Sequence, residues 1–150
     1  MDPTVELVNI ILKAKWGGKF ARALKPFEDT ADTVRFVDTG TPLCHTKEEC
    51  MPIMQKLQQE EFDANGFDIK YNFYIGGDGC IFEGRGWNVE SWKPEELKDL
   101  KSHCLDIAFL IDLKESKITP EMKKSSDDML TYGLQEEFIK EGYKLIGLPE

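Results

Sequence analysis

Histidine is nearly absent from this chain, with only His45 and His103 among its 150 residues. The two lie in distant segments, without the i, i+3 or i, i+4 spacing that turns two imidazoles toward one metal, so surface histidines are expected rather than a metal pair. Basic charge is also scarce. Nineteen Lys and Arg against 28 Asp and Glu leave a net charge of −9, which repels phosphate backbones and anionic bilayers and excludes nucleic acid as the partner. Nothing approaches the ~18 consecutive apolar residues of a membrane span, so no membrane contact by this segment is expected. The opening "MDPTVELVNIILKAKW" carries Asp2 and Glu6 where a secretory leader carries a basic flank. The expectation there is a mature form, an excised domain or a chain that stays in the cytosol. Internal repeats and low-complexity tracts are missing too.

What is present suffices for one domain over 1–150, since 41% apolar residues can close a single core without help from a metal. "TVRFVD", Thr33 to Asp38, reads as a short strand that ends at the turn-prone "TGTP". In "CHTKEECMPIMQKLQQEEFDANG", Thr46 and Glu49 have the form of a capping box, and Cys50, Ile53, Met54 and Leu57 share one helical face. Pro52 removes a backbone donor, so the expectation is either a separate first turn or regular helix from about Met51, ending at Asn65-Gly66.

Tyr71 to Gly76 and Ile81 to Trp87 read as two strands joined by "GGDG". Alternation would put Ile81, Glu83, Arg85 and Trp87 on one face, while Gly84 and Gly86 leave the other face open to close approach. "LDIAFLI", Leu105 to Ile111, reads as a central strand covered on both sides. Thr119 as N-cap with Pro120 at the first helical position opens another helix, with Met122, Met129, Leu130 and Leu134 as its buried stripe. "YKLIG" supplies a last short strand. The sum is an α/β (α+β) arrangement, a mixed central sheet flanked by about three helices.

"DIKYNFYIGGDGCIFEGRGWNV", the "CHTKEEC" pair with its helix, "LDIAFLI", "ITPEM" and "YKLIG" together resemble the peptidoglycan recognition protein family, whose domain is related to zinc amidases. The resemblance runs from about Trp16 onward, leaving 1–15 as an N-terminal extension and the C-terminus shortened. It implies a sheet with three main helices and a groove for the sugar and stem peptide of peptidoglycan. Catalytic members are similar to one another in a zinc site of two histidines and a cysteine, with a tyrosine and a threonine assisting. Zinc hydrolysis needs three protein ligands and an open position for water. Here the first histidine position holds Asp38, the second falls at Trp92 or Lys93, and the run that carries the cysteine reads "GLPE" up to Glu150. Only Tyr71 matches the catalytic set. No bound metal, no cofactor and no amidase activity are therefore expected. The paired carboxylates Asp127 and Asp128, and Glu95 and Glu96, sit in polar runs and read as solvated helix faces.

By the same resemblance Cys44 and Cys50 form a disulfide that holds the helix start, which points to an oxidising, extracellular setting, secreted or on a receptor ectodomain, with the cytoplasm left open. Cys80 and Cys104 each begin an expected strand; they pair if those starts lie within about 7 Å, or else stay as buried thiols.

Arginine's planar fork holds a carboxylate through two parallel hydrogen bonds. The resemblance implies that Arg85, Gly86 and Trp87 read the extra carboxylate of diaminopimelic-acid stem peptides, with Asp38, Tyr71 and Asn88 in the candidate groove. The other reading makes Arg85 an edge-strand residue paired with Glu83. Against ligand binding, Asp38 adds negative charge beside an anionic peptide, and "ESWKPEELKDLKSHC" makes a longer, more charged wall. The expected function is a non-catalytic recognition-like module that regulates innate immunity through contacts with other peptidoglycan recognition proteins or immune signalling proteins. The alternative is a true receptor for muropeptide; a zinc amidase comes last.

Overall fold

The computed structural model describes residues 8–21, 24–64, 66–93 and 103–147. Glu95, Glu96 and most of the charged wall after Trp92 lie outside these residues, as do Asn65, the first part of the N-terminal segment and the run at 148–150.

Among the described residues, six strands form one sheet in the order β1-β4-β3-β5-β2-β6. They are β1 (Ile10–Ile11), β2 (Ala31–Asp38), β3 (Phe73–Ile75), β4 (Ile81–Glu83), β5 (Cys104–Phe109) and β6 (Ile139–Gly147). Among these six strands the β3/β4 hairpin is antiparallel and the other ladders are parallel, with an isolated antiparallel bridge between Pro26 and Val89. The helices are the single turn α1 (Lys13–Trp16), α2 (Lys47–Asp63) and α3 (Pro120–Gln135). α1 and α2 cover one face, over Trp16, Met54, Tyr74, Phe82 and Ala108. α3 covers the other, over Phe73, Ile107, Met122 and Met129. The mixed α/β layers match the expectation, with β5 central and every one of its residues buried. No helix among the described residues is long and apolar enough to cross a membrane.

Both threonines cap as read, while the Glu49 half of the expected capping box closes onto His45 N–H at 2.8 Å, one residue before the cap. Thr46 accepts from the Glu49 backbone N–H at 3.1 Å, and Thr119 accepts from Met122 N–H at 3.0 Å. Pro52, however, neither splits nor delays its helix, because α2 runs unbroken from Lys47. Pro52 sits on the exposed side, where water can serve the carbonyl it leaves without a donor. The described part of the expected 1–15 extension is built into the domain: β1 pairs with β4, and Lys13 donates its backbone N–H to Glu83 Oε1 at 2.7 Å, just before the fully buried Trp16, whose indole N–H donates to Glu83 O at 2.8 Å.

β4 is shorter than alternation suggested. After Glu83 the backbone leaves the ladder, and the N–H groups of Gly84 and Arg85 turn to Asn72 O and Tyr71 O. The close approach expected at Gly84 is made by the chain itself, since a Cβ there would stand 2.2 Å from Tyr71 O. Gly86 has φ 86°, the left-handed region that glycine adopts freely. That turn sends Arg85 and Trp87 to opposite layers, correcting the reading that put them on one face.

Candidate functional site, an acidic groove beside α2

β2 ends at Asp38 and the chain approaching β3 carries Tyr71; both face the side of α2 that bears Leu57, Glu60 and Glu61. These residues, with Lys70, line a cavity of about 150 Å³. Ligand clefts usually enclose about 300–1,000 Å³, so this one is small. Asp38, Glu60 and Glu61 bring three carboxylates to its wall. Lys70, the ammonium among the lining residues, lies 3.7 Å from Glu61 and 4.2 Å above the Trp92 ring. Asp38 Oδ2 accepts from Leu113 N–H at 3.0 Å. Tyr71 packs edge-on against Trp92 at 6.5 Å, and its phenol is raised in pKa, chiefly by burial.

Beneath Tyr71 runs a polar network that sequence reading missed. Arg35 and Asp106 stand opposite each other in the β2/β5 register. The guanidinium donates to Asp106 through Nε at 3.1 Å and Nη2 at 2.7 Å, with Asp106 fully buried. Ser91 Oγ donates to the same carboxylate at 2.6 Å and Cys104 Sγ at 3.2 Å. The Asp106 backbone N–H reaches Asn72 Oδ1 at 2.7 Å, and Asn72 Nδ2 donates to Gly86 O and Val89 O. Arg35 itself lies 5.9 Å from the Tyr71 ring centroid. A charge in "LDIAFLI" and another in "TVRFV" were the available signal, because a carboxylate in a covered strand requires a partner.

The expected ligand set is dispersed. Asp38 and Tyr71 share the cavity, whereas Arg85 donates to Ile69 O at 2.8 Å and to Glu90 O at 3.0 Å. Burial pulls its pKa down from the usual arginine value. It is not paired with Glu83, whose Oε1 accepts from Lys13 N–H instead. Trp87 belongs to the α3 layer, 4.6 Å from Phe73 and stacked on Phe138 at 4.8 Å. Gly86 and Trp87 border a different hollow, beside β1. Asn88 is exposed and its carbonyl accepts from Phe27 N–H. Asp127 and Asp128 pair with Lys123 and Lys124 on an exposed helix face.

Cys44 and Cys50 form a disulfide. Cys80 and Cys104 are free thiols, so the pairing left open is not made. Topology forbids it: β3 lies between β4 and β5, and β4 runs opposite to β5, so the two strand starts sit at opposite ends of the sheet. Burial raises both thiols to about 12, helped for Cys80 by Asp78 and for Cys104 by Asp106. The unfolded chain loses these protons above about pH 8.5 while the folded one keeps them, so stability held below that pH is lost as pH rises toward 12. Tyr74, fully buried, acts in the same direction. The urea midpoint is expected to fall between about pH 8 and 11; a flat midpoint contradicts this.

A mixed sheet with helices on both faces and a groove at the end of β2 defines an amidase-like α/β domain, and comparison with known proteins narrows this. No family model matches the chain. Peptidoglycan-recognition protein SC2 of Drosophila melanogaster is 32% identical over 141 residues, covering 93% of this chain and 75% of the relative. Peptidoglycan-recognition protein 1 of Holotrichia diomphalia is 32% identical over 140 residues, covering 93% and 70%. Among solved structures, Drosophila peptidoglycan recognition protein SA superposes with a TM-score of 0.84 at 27% identity, over 93% of this chain and 80% of that one. A chain from the ectodomain complex of peptidoglycan recognition proteins LCa and LCx bound to tracheal cytotoxin also gives 0.84, at 28% identity over 92% and 82%. The chain belongs to the peptidoglycan-recognition protein family.

The zinc of the amidase site does not fit the residues at hand. Asp38 Oδ2 accepts from Leu113 N–H and leaves Oδ1 as a single carboxylate donor, and at the second position the resemblance puts Trp92 or Lys93, whose indole and ammonium offer a zinc ion no lone pair. No group of three or more His, Cys, Asp or Glu able to hold a metal occurs among the described residues.

Proposed function

We propose that this domain is a non-catalytic recognition-like module of innate immunity. It works outside the cell as a regulator or co-receptor, through contacts with other members of its family, with muropeptide binding reduced or lost. The observation that carries this reading is the groove: about 150 Å³, bordered by Asp38, Glu60 and Glu61. An anionic stem peptide entering it would meet like charge in a partly desolvated space, at a cost of a few kcal/mol, enough to abolish micromolar binding. Protein contact has a surface to use. Phe36, Phe109, Ile118, Leu130 and Leu145 line an apolar cavity of about 310 Å³, and Leu145 and Ile146 are exposed on β6. The Cys44–Cys50 bond suits an oxidising, extracellular setting.

The test is sedimentation of this protein with the ectodomain of a peptidoglycan-recognition protein. A saturable complex is expected, weakened at least tenfold, about 1.4 kcal/mol, by Leu145→Glu. Absence of any complex, together with tight muropeptide binding, would favour the alternative receptor reading built on Arg85, Gly86 and Trp87.

A further inference from the structure

Three of the four cysteines gather at one point. The hairpin loop between β3 and β4 brings Gly76 and Cys80 together, with Gly76 N–H donating to Cys80 O at 2.8 Å. A Cβ added at Gly76 would stand 2.6 Å from Cys50 Sγ and 2.8 Å from Cys80 Sγ. Both sulfurs therefore border the same small space, which glycine alone leaves open. Cys44 belongs to the same buried cluster, and its carbonyl accepts from Gly77 N–H at 2.8 Å. The Cys80 side is half-buried and borders a surface hollow that Lys47 of α2 and Ser125 and Asp128 of α3 also line.

We propose that Cys80 is an exchange partner for the Cys44–Cys50 disulfide, able to displace Cys44 from Cys50 and tie α2 to the hairpin. The Cys80 thiol gives its proton to solvent base and its thiolate attacks Cys50 Sγ. The Cys44–Cys50 bond breaks, a Cys50–Cys80 bond forms, and Cys44 leaves as a thiolate that takes up a proton. One thiol and one disulfide stand on each side of the step, the thiol passing from Cys80 to Cys44, so no oxidant or reductant is needed. The exchange frees the loop before α2 from its covalent anchor and moves that anchor to the β3/β4 hairpin. Burial and then Asp78, on the hairpin, oppose thiolate formation, and the charged groups Lys47 and Asp128 line the hollow that Cys80 borders. With burial holding the thiol near 12, exchange is slow at neutral pH and quickens as the thiolate fraction grows.

The native protein, held at rising pH, quenched in acid and alkylated without reduction, reports the exchange by peptide mapping. Alkylated Cys44 together with a Cys50–Cys80 peptide is expected, increasing about tenfold per pH unit and absent in Cys80→Ser. A second variant, Cys44→Ala, equilibrated with oxidised glutathione, which takes up the two electrons and leaves as reduced glutathione, is expected to carry a Cys50–Cys80 disulfide, with circular dichroism reporting its fold. The proposal is overturned if native Cys44 labels no faster than in Cys80→Ser, or if folded Cys44→Ala keeps Cys50 and Cys80 as separate alkylatable thiols.

Discussion

Replacing Asp106 with alanine is expected to lower folding stability by about 3–5 kcal/mol, because it leaves Arg35 as a buried charge without its partner. The arginine side chain is 12% exposed and the carboxylate 0%, so water can make up little of the loss. Ser91 Oγ and Cys104 Sγ lose their acceptor in the same step. Against a total stability of about 5–15 kcal/mol, this is a large fraction. Removing both charges together, as Arg35→Met with Asp106→Leu, is expected to recover most of it, since neither partner is then stranded. Urea unfolding of the wild type and the two variants checks the account. A loss below about 1 kcal/mol in Asp106→Ala would mean that the pair is solvated and does not anchor β2 to β5.

Arg85→Ala is expected to cost about 2–4 kcal/mol, lowering Tm by roughly 5–15 °C, because Ile69 O and Glu90 O both lose a charged donor. Lysine cannot hold both carbonyls in the geometry of the guanidinium, so Arg85→Lys recovers only part. An arginine displayed to read a carboxylate would behave otherwise, since its truncation would leave stability within about 0.5 kcal/mol. Thermal unfolding separates the two roles without any ligand. The position that most strongly suggests recognition in the sequence thus acts in the fold as a clamp on the 69–90 loop pair.

Local signals carried much of the fold. Thr46 and Thr119 act as caps because their side chains bond to backbone three positions on, a relation contained within a short window. The central place of β5 followed from its apolar run. Errors arose where distant chain decides local geometry. β4 stops at Glu83 because Tyr71 and Asn72 carbonyls capture the next N–H groups, and alternation along 81–87 contains no trace of that competition. Pro52 was misplaced because the cost of a helical proline depends on whether water reaches the orphaned carbonyl. Gln58, only 2% exposed, takes a place that periodicity would reserve for an apolar residue, since it donates to Lys19 O and Asp68.

For the candidate site, Asp38 and Tyr71 could be named in advance and do meet in one cavity. Glu60 and Glu61 stand in the last part of α2 and meet Asp38, at the end of β2, around one cavity. Their contribution to groove charge depends on packing, which sequence spacing does not encode.

The most direct measurement is calorimetric titration of the intact protein with a diaminopimelic-acid muropeptide, zinc present in the buffer. The account predicts no binding heat up to about millimolar ligand, the level of −4 kcal/mol. Saturable micromolar binding would contradict it, and would mean that the acidic groove beside α2 still receives peptidoglycan.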